Sequence, residues 1–180
     1  MKKIKTISDL NTQEFLLFYR HWKWADMVRD QYSKEERSRG VSLFFESKNG
    51  YMFVWYGLLN ALLEFMEKTH VCIPSITKEI KRVRKPLYWC RNSVFHILPE
   101  KGEPRLMPET LFQILMDPES EGNILKIHSD IGKHIREDFR KRIAGIPRKV
   151  KMLHNITEAM PEEYLIRQLY FLQGHSSDQP

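Results

Sequence analysis

The sequence predicts an all-α protein, a bundle of about five to seven helices. Apolar residues recur every three or four positions along most of the chain, which is the period of an amphipathic helix. Glycines are few, 8 in 180 residues, and runs of β-branched residues are rare. A chain of this length can bury one sizeable core. We therefore expect one domain at residues 12–174, with a mobile basic arm at 1–11 and a frayed tail at 175–180.

The first helix is expected over residues 12–33, capped by Asn11 or Thr12. The short apolar segment 41–46 fits a helix or a strand equally well. The Lys-Asn-Gly sequence at residues 48–50 indicates a turn. The stripe that should face the core comprises Phe15, Phe18, Trp22 and Ala25, with His21 expected to face solvent.

The next helix, over residues 51–68, is the most strongly predicted one. It is apolar nearly all the way round, which is typical of a helix at the centre of a bundle. Its few polar residues are therefore informative, and Tyr56, Asn60 and Glu64 repeat every fourth residue along one stripe. The residues at 70–74 should end this helix.

Two prolines bracket the stretch that carries the most unusual chemistry. Pro86 suits the first turn of a helix, and Pro99 cannot continue one. A helix of roughly three turns is expected between them, separate from a preceding helix over residues 76–84. The core side of this helix should comprise Leu87, Cys90, Val94, Ile97 and Leu98. The opposite side mixes aromatic and polar groups: Lys85, Tyr88, Trp89, Arg91, Asn92, Phe95 and His96.

Such a mixed face is too apolar for water and too polar for a core, which indicates a partner interface that also holds a site. Arg91 and His96 diverge by roughly 140°, so one helix cannot easily aim both at one phosphate, whereas Asn92 and His96 share a side. Two copies of the helix, related by a two-fold axis, could aim Arg91 of one copy and His96 of the other at the same phosphate. The sequence thus predicts a homodimer whose site is completed by the second copy.

The pattern Arg91-Asn92-x-x-x-His96 near a helix end, in a small helical chain, resembles the signature of the HEPN superfamily. The resemblance covers the helical order of residues 12–144, and only the short motif is specific. It implies a HEPN-like bundle, a metal-independent endoribonuclease without a cofactor, and motif helices that pair in a dimer. It also implies a toxin or a defence effector, with an antitoxin or nucleotidyltransferase as a further partner.

In that reaction each motif residue has an expected role. Arg91 would bind the phosphate, because a guanidinium offers two parallel hydrogen bonds and keeps its proton. His96 would act as acid or base near neutral pH, and Asn92 would hold His96, the phosphate or the partner helix. The product would carry a 2′,3′-cyclic phosphate. The residues expected to contact RNA are Lys81, Arg82, Arg84, Lys85 and Tyr88.

Glu64 has two interpretations that the sequence leaves open. A buried Glu64 would orient His96 or pair with Arg91, with Asn60 as a supporting residue. Alternatively, Glu64 lies at the rim and pairs with Lys68 one turn later.

The second half of the chain repeats the helical pattern. A short helix is expected over residues 108–116, followed by a turn at 117–122. Asn123 should cap a long helix that ends near Ile143. The expected core stripe of that helix comprises Ile124, Ile127, Ile131, Ile135, Phe139 and Ile143, with His128 and His134 at the surface or rim. A last helix is expected over residues 161–173.

The composition narrows the class of partner. The net charge of +6 favours polyanions such as RNA. Cys72 and Cys90 form no ligand pair, so no metal site is expected, and Cys90 should be a small buried hydrophobe. No apolar stretch approaches the ~18 residues that a membrane span needs. Reduced thiols and the lack of a signal peptide favour the cytoplasm. The alternative function is a non-catalytic HEPN-like module that binds RNA or protein and dimerises.

Overall fold

The computed structural model describes residues 4–37, 45–95, 113–115 and 117–153, and it confirms the all-α prediction. Two single 3-10 turns, Ile7–Asp9 and Pro74–Ile76, precede helices, and residues 113–115 form one helical turn. The helices are α1 (Thr12–Arg37), α2 (Phe45–Thr69), α3 (Thr77–Phe95), α4 (Pro118–Gly145) and α5 (Arg148–Leu153).

Among the described residues, four long helices surround the core. α1 packs on α2, α2 on α3, α3 on α4, and α4 closes against α1. The predicted stripes of α1 and α4 are buried, and the largest side chains with less than 2% exposure include Trp55, Tyr19, Tyr56, Phe15 and Phe18. In the described ranges, no helix combines the length and the apolarity that crossing a membrane demands.

The N-terminal arm is anchored from Lys5 onward, so the expectation of a mobile arm is wrong for this part. The Lys5 amide donates to the carbonyl of His70, and the Cys72 amide donates to the carbonyl of Lys5, both at 2.9 Å. Ile7 and Leu10 are buried in the core. The arm therefore contributes apolar surface that a free segment would leave in water.

The predicted turn at residues 48–50 is wrong, because α2 already begins at Phe45. A glycine inside a helix costs about 1 kcal/mol relative to alanine, and the buried helix that follows outweighs this preference. The turn predicted at 117–122 is also wrong. Asp117 caps α4 by accepting from the Ser120 amide at 3.1 Å, and Pro118 occupies the first helical position.

Pro86 lies inside α3 rather than at the start of a separate helix. A proline there removes one backbone hydrogen bond and costs about 3 kcal/mol in a helix interior. Val83, Leu87 and Cys90 on either side of it are fully buried. The apolar surface that these side chains bury in one continuous helix offsets the local cost, and α3 runs unbroken into the motif.

Candidate functional site

A polar network joins α2 to α3 along one face of each helix. Asn60, Glu64 and Glu67 follow one another at spacings of four and three on α2, and Arg84 and Arg91 lie two turns apart on α3. Because both spacings keep side chains on one face, the acidic and amide groups of α2 meet the two guanidinium groups of α3.

Arg84 occupies the end of this network nearer the start of α3. Its guanidinium binds the Glu67 carboxylate with two hydrogen bonds, of 2.7 and 3.2 Å, and also donates to the Asn60 side-chain oxygen. Asn60 is fully buried and donates to Glu64 Oε1 at 2.9 Å. Both polar ends of the buried amide therefore have partners, which a buried amide requires.

Arg91 occupies the other end, and its pairing with Glu64 is confirmed. Arg91 Nε lies 3.5 Å from Glu64 Oε2, and one terminal nitrogen donates to Asn92 Oδ1 at 3.3 Å. The Arg91 side chain is 31% exposed and that of Glu64 is 23% exposed. The guanidinium is thus held on two sides while part of it reaches the surface. No ion pair joins Glu64 to Lys68 within the part of the chain that the structure describes.

The helical projection predicted that Asn92 lies on the same outer face as Tyr88, but the structure buries Asn92. It is 5% exposed, whereas Tyr88 one turn earlier is 46% exposed. His96 lies outside the described residues, as do the loop at 99–104 and the helix predicted over 161–173. The structure therefore brings together Asn60, Glu64, Arg91 and Asn92 of the predicted site.

The residues expected to contact RNA fall into two groups, an exposed stripe of three residues and two arginines that are paired with glutamates. Lys81, Lys85 and Tyr88 follow one another at helical spacing and are exposed along one stripe of α3. Arg82 is also exposed but forms an ion pair with Glu119 at the start of α4. Arg84 is turned to α2, with a side chain only 24% exposed, and its guanidinium is committed to Glu67 and Asn60.

Cys90 is a core residue, as predicted. Its side chain is fully buried, and burial raises the pKa of the thiol to about 12. Burial in apolar surroundings disfavours the thiolate, which is the nucleophilic form. Cys90 is therefore a packing residue of α3 rather than a nucleophile.

The sequence interpretation missed a buried polar trio around His128, which was expected at the surface or rim. His128 is 1% exposed and accepts a hydrogen bond from Trp55 Nε1 at 3.2 Å. Since the indole can only donate, the proton lies on His128 Nε2, which donates to Asp26 Oδ1 at 3.0 Å. This hydrogen bond is the main reason why the pKa of Asp26 is lowered.

A sequence signal for this burial existed. His128 follows Ile124 by four residues and precedes Ile131 by three, so it lies within the core stripe of α4 rather than at its flank. Because a carboxylate and an indole fill both ring nitrogens, the trio links α1, α2 and α4 and leaves no nitrogen of His128 for a substrate.

Comparison of the chain with protein-family models, with curated proteins and with solved structures finds no match.

Proposed function

We propose that the protein is a metal-independent endoribonuclease of HEPN type, with a site completed by a second copy of the chain. The observation that supports this most is the placement of Arg91. Arg91 lies on α3, the helix that exposes Lys81, Lys85 and Tyr88. Its guanidinium is held by Glu64 of α2 and by Asn92 of α3. A guanidinium that is already ordered loses less side-chain entropy when it binds a phosphate.

The proposed reaction uses the RNA's own 2′-hydroxyl as the nucleophile. One histidine removes the proton of this hydroxyl, and the 2′-oxygen attacks the adjacent phosphorus. The bond to the 5′-oxygen breaks, and a second proton donor protonates that leaving group. Arg91 stabilises the charge that develops on the phosphate oxygens. With one His96 from each copy, both proton transfers have a donor or acceptor, and the products are a 2′,3′-cyclic phosphate and a 5′-hydroxyl.

The lysines and the tyrosine of α3 have a simpler role in this proposal. Lys81 and Lys85 neutralise phosphates along the strand, and the exposed ring of Tyr88 stacks on an unpaired base. Arg84 is left out of this set, because Glu67 already binds its guanidinium with two hydrogen bonds.

A second candidate function is a non-catalytic module that binds RNA or protein through the same helix. Its support is that Arg84 and Arg91 are both paired with carboxylates of α2. A guanidinium that is neutralised in this way contributes to helix packing and attracts a phosphate less strongly than an unpaired one.

The deciding experiment measures cleavage of end-labelled RNA by the purified protein in EDTA. The same oligonucleotide with a 2′-deoxy sugar at the cleaved position is the substrate control, and it should stay intact. His96→Ala should lower the rate by at least about 100-fold, the usual contribution of a general acid or base. The matched control is His134→Ala, which removes an exposed histidine of α4. Equal rates for these two variants, or full loss of cleavage in EDTA, would refute the catalytic proposal.

A mixing experiment tests whether the site is shared between two copies. His96→Ala should be inactive alone. When it is mixed in excess with the wild type and allowed to exchange, most wild-type chains enter dimers that hold a single His96. Because the proposed reaction uses one His96 from each copy, cleavage per wild-type chain should fall well below that of the wild type alone, and a strictly monomeric wild type that cleaves RNA would contradict the shared site. If the wild type and all variants bind RNA and none of them cleaves it, the result would support the non-catalytic binding module.

A further inference from the structure

A cavity of about 190 Å³ opens between α1 and α2, and Glu64 is one of the residues that line it. Its apolar wall includes Phe18, Leu62 and Phe65, and the rings of Phe18 and Phe65 stack at 5.2 Å between centroids. Its polar wall comprises His21, Glu64 and Lys68. Phe18 is almost fully buried, and Phe65 is only partly buried. The cavity therefore combines one partly exposed aromatic side chain with three polar side chains.

The volume of the cavity limits the size of its ligand. An engineered apolar cavity of about 150 Å³ holds a benzene ring, whereas drug-sized ligands occupy pockets of about 300 Å³ or more. The present cavity lies between these sizes. It therefore suits one planar ring system, with any attached group outside in solvent.

The polar wall offers hydrogen-bond acceptors to such a ring. His21 Nδ1 lies 2.8 Å from the carbonyl oxygen of Leu17, which can only accept, so Nδ1 carries the proton. In the neutral ring the other nitrogen, Nε2, is then an acceptor. Glu64 Oε1 accepts a hydrogen bond from the Asn60 side chain, and Glu64 Oε2 pairs with Arg91. Because a carboxylate has about four acceptor positions, each oxygen can accept a further hydrogen bond.

We propose that this cavity binds an unstacked guanine base. Guanine presents two adjacent N–H donors on one edge, which match the two oxygens of a carboxylate. Adenine, uracil and cytosine each place an acceptor beside their donor on that edge, and this acceptor would face the negative charge of Glu64. Phe65, which is only partly buried, supplies an aromatic surface of the kind on which single-stranded RNA bases stack. Lys68, exposed at the rim, meets the phosphate of the same nucleotide.

Guanine binding in this cavity rests on the proposed ribonuclease function, because Glu64 belongs both to the cavity and to the polar network that holds Arg91. The Glu64 side chain belongs to the lining of the cavity, and its Oε2 lies 3.5 Å from Arg91 Nε. A guanine bound at Glu64 would therefore sit beside the guanidinium that is proposed to hold the phosphate. The proposed endoribonuclease would then prefer RNA with an unpaired guanine next to the cleaved bond.

The test uses free nucleotides and needs no cleavage. GMP, IMP and AMP are titrated into the full chain at matched ionic strength, with binding followed by calorimetry. GMP should bind saturably, and IMP, which lacks the amino group of guanine, should bind about tenfold more weakly. AMP should bind more weakly still. Equal affinities for GMP and AMP would show binding of the phosphate alone and would overturn the proposal.

Two variants locate the binding in the cavity. Ala61→Leu adds volume to a side chain that lines the cavity, and it should abolish GMP binding. The matched control Ala144→Leu makes the same change at an exposed position of α4 and should bind GMP like the wild type. His21→Phe keeps an aromatic ring but removes the acceptor, and it should reduce the preference for GMP over AMP. Unchanged GMP binding by both cavity variants would overturn the proposal.

The two proposals fail in different ways. GMP binding that Ala61→Leu abolishes, in a protein that never cleaves RNA, supports the cavity and refutes the ribonuclease. Cleavage that depends on His96 without any GMP binding refutes the cavity and supports the ribonuclease.

Discussion

Replacing Gly132 of α4 with alanine should destabilise the protein, although alanine is the better helix former. The reason is the indole of Trp22, which packs directly against this glycine. A Cβ built on Gly132 would lie 2.5 and 2.8 Å from two ring carbons of Trp22 and 3.0 Å from its Nε1. Ordinary contacts of a Cβ begin at about 3.4 Å, so the ring or the helix must shift.

The surroundings of Trp22 leave the ring little room to move. It is 3% exposed, lies under the Arg136 guanidinium at 5.2 Å from the ring centroid, and contacts the rings of Tyr19 and His128. Overpacking of a core by one methyl group costs about 1–3 kcal/mol. The better helix propensity of alanine returns about 1 kcal/mol. The expected net loss is the difference, about 0–2 kcal/mol.

Gly122 provides a matched control in the same helix. No atom would lie within 4 Å of a Cβ at this position, so Gly122→Ala should stabilise the protein by about 0.5–1 kcal/mol. Urea unfolding followed by circular dichroism at 222 nm compares the two variants at constant m-value. Gly132→Ala in a Trp22→Phe background should lose less than in the wild type. If Gly132→Ala proves as stable as Gly122→Ala, the close packing of Trp22 on this helix is refuted.

Three further predictions concern polar groups that are buried or partly buried. His128→Leu should cost about 1–3 kcal/mol in urea unfolding, because the buried Trp55 N–H loses its acceptor, and the cost should shrink in a Trp55→Phe background. Stability should fall as the pH drops below 3.8, the ordinary pKa of Asp26, because the folded protein holds this pKa lower and the unfolded chain binds the proton first. An acid titration of stability that is equally steep in His128→Leu would contradict that assignment. Arg142→Met should cost about 3 kcal/mol, because it leaves the buried Asp138 carboxylate unpaired, and Asp138→Asn in the same background should recover part of the loss.

The helical periodicity of the sequence predicted most of the core correctly. The stripe Ile124, Ile127, Ile131 and Ile135 is buried along α4, and Leu87 and Cys90 are buried along α3, because apolar spacing alone decides which side of a helix leaves water. The boundaries were less predictable. Asp117 and Pro118 carry a start signal for α4, which the stronger apparent cap at Asn123 concealed.

In the candidate site, too, some features could be predicted from the sequence and others could not. The sequence placed Arg91, Asn92 and Glu64 among the informative residues, since each is a polar group within a mainly apolar pattern. It left three partners open for Glu64, namely His96, Arg91 and Lys68, because the approach of α3 to α2 depends on packing between distant segments. The structure decides in favour of Arg91, and it also assigns Arg84 to Glu67 rather than to an exposed basic face.

By itself, the sequence determined that this chain is a helical bundle and which faces of its long helices are apolar, because both follow from local spacing. The tertiary structure alone decided that α3 continues through Pro86, that the arm at Lys5 is anchored, and that His128 is buried between Trp55 and Asp26. Each of these outcomes depends on contacts between residues far apart in the chain, whose burial outweighs the local preference of a proline, a basic segment or an imidazole.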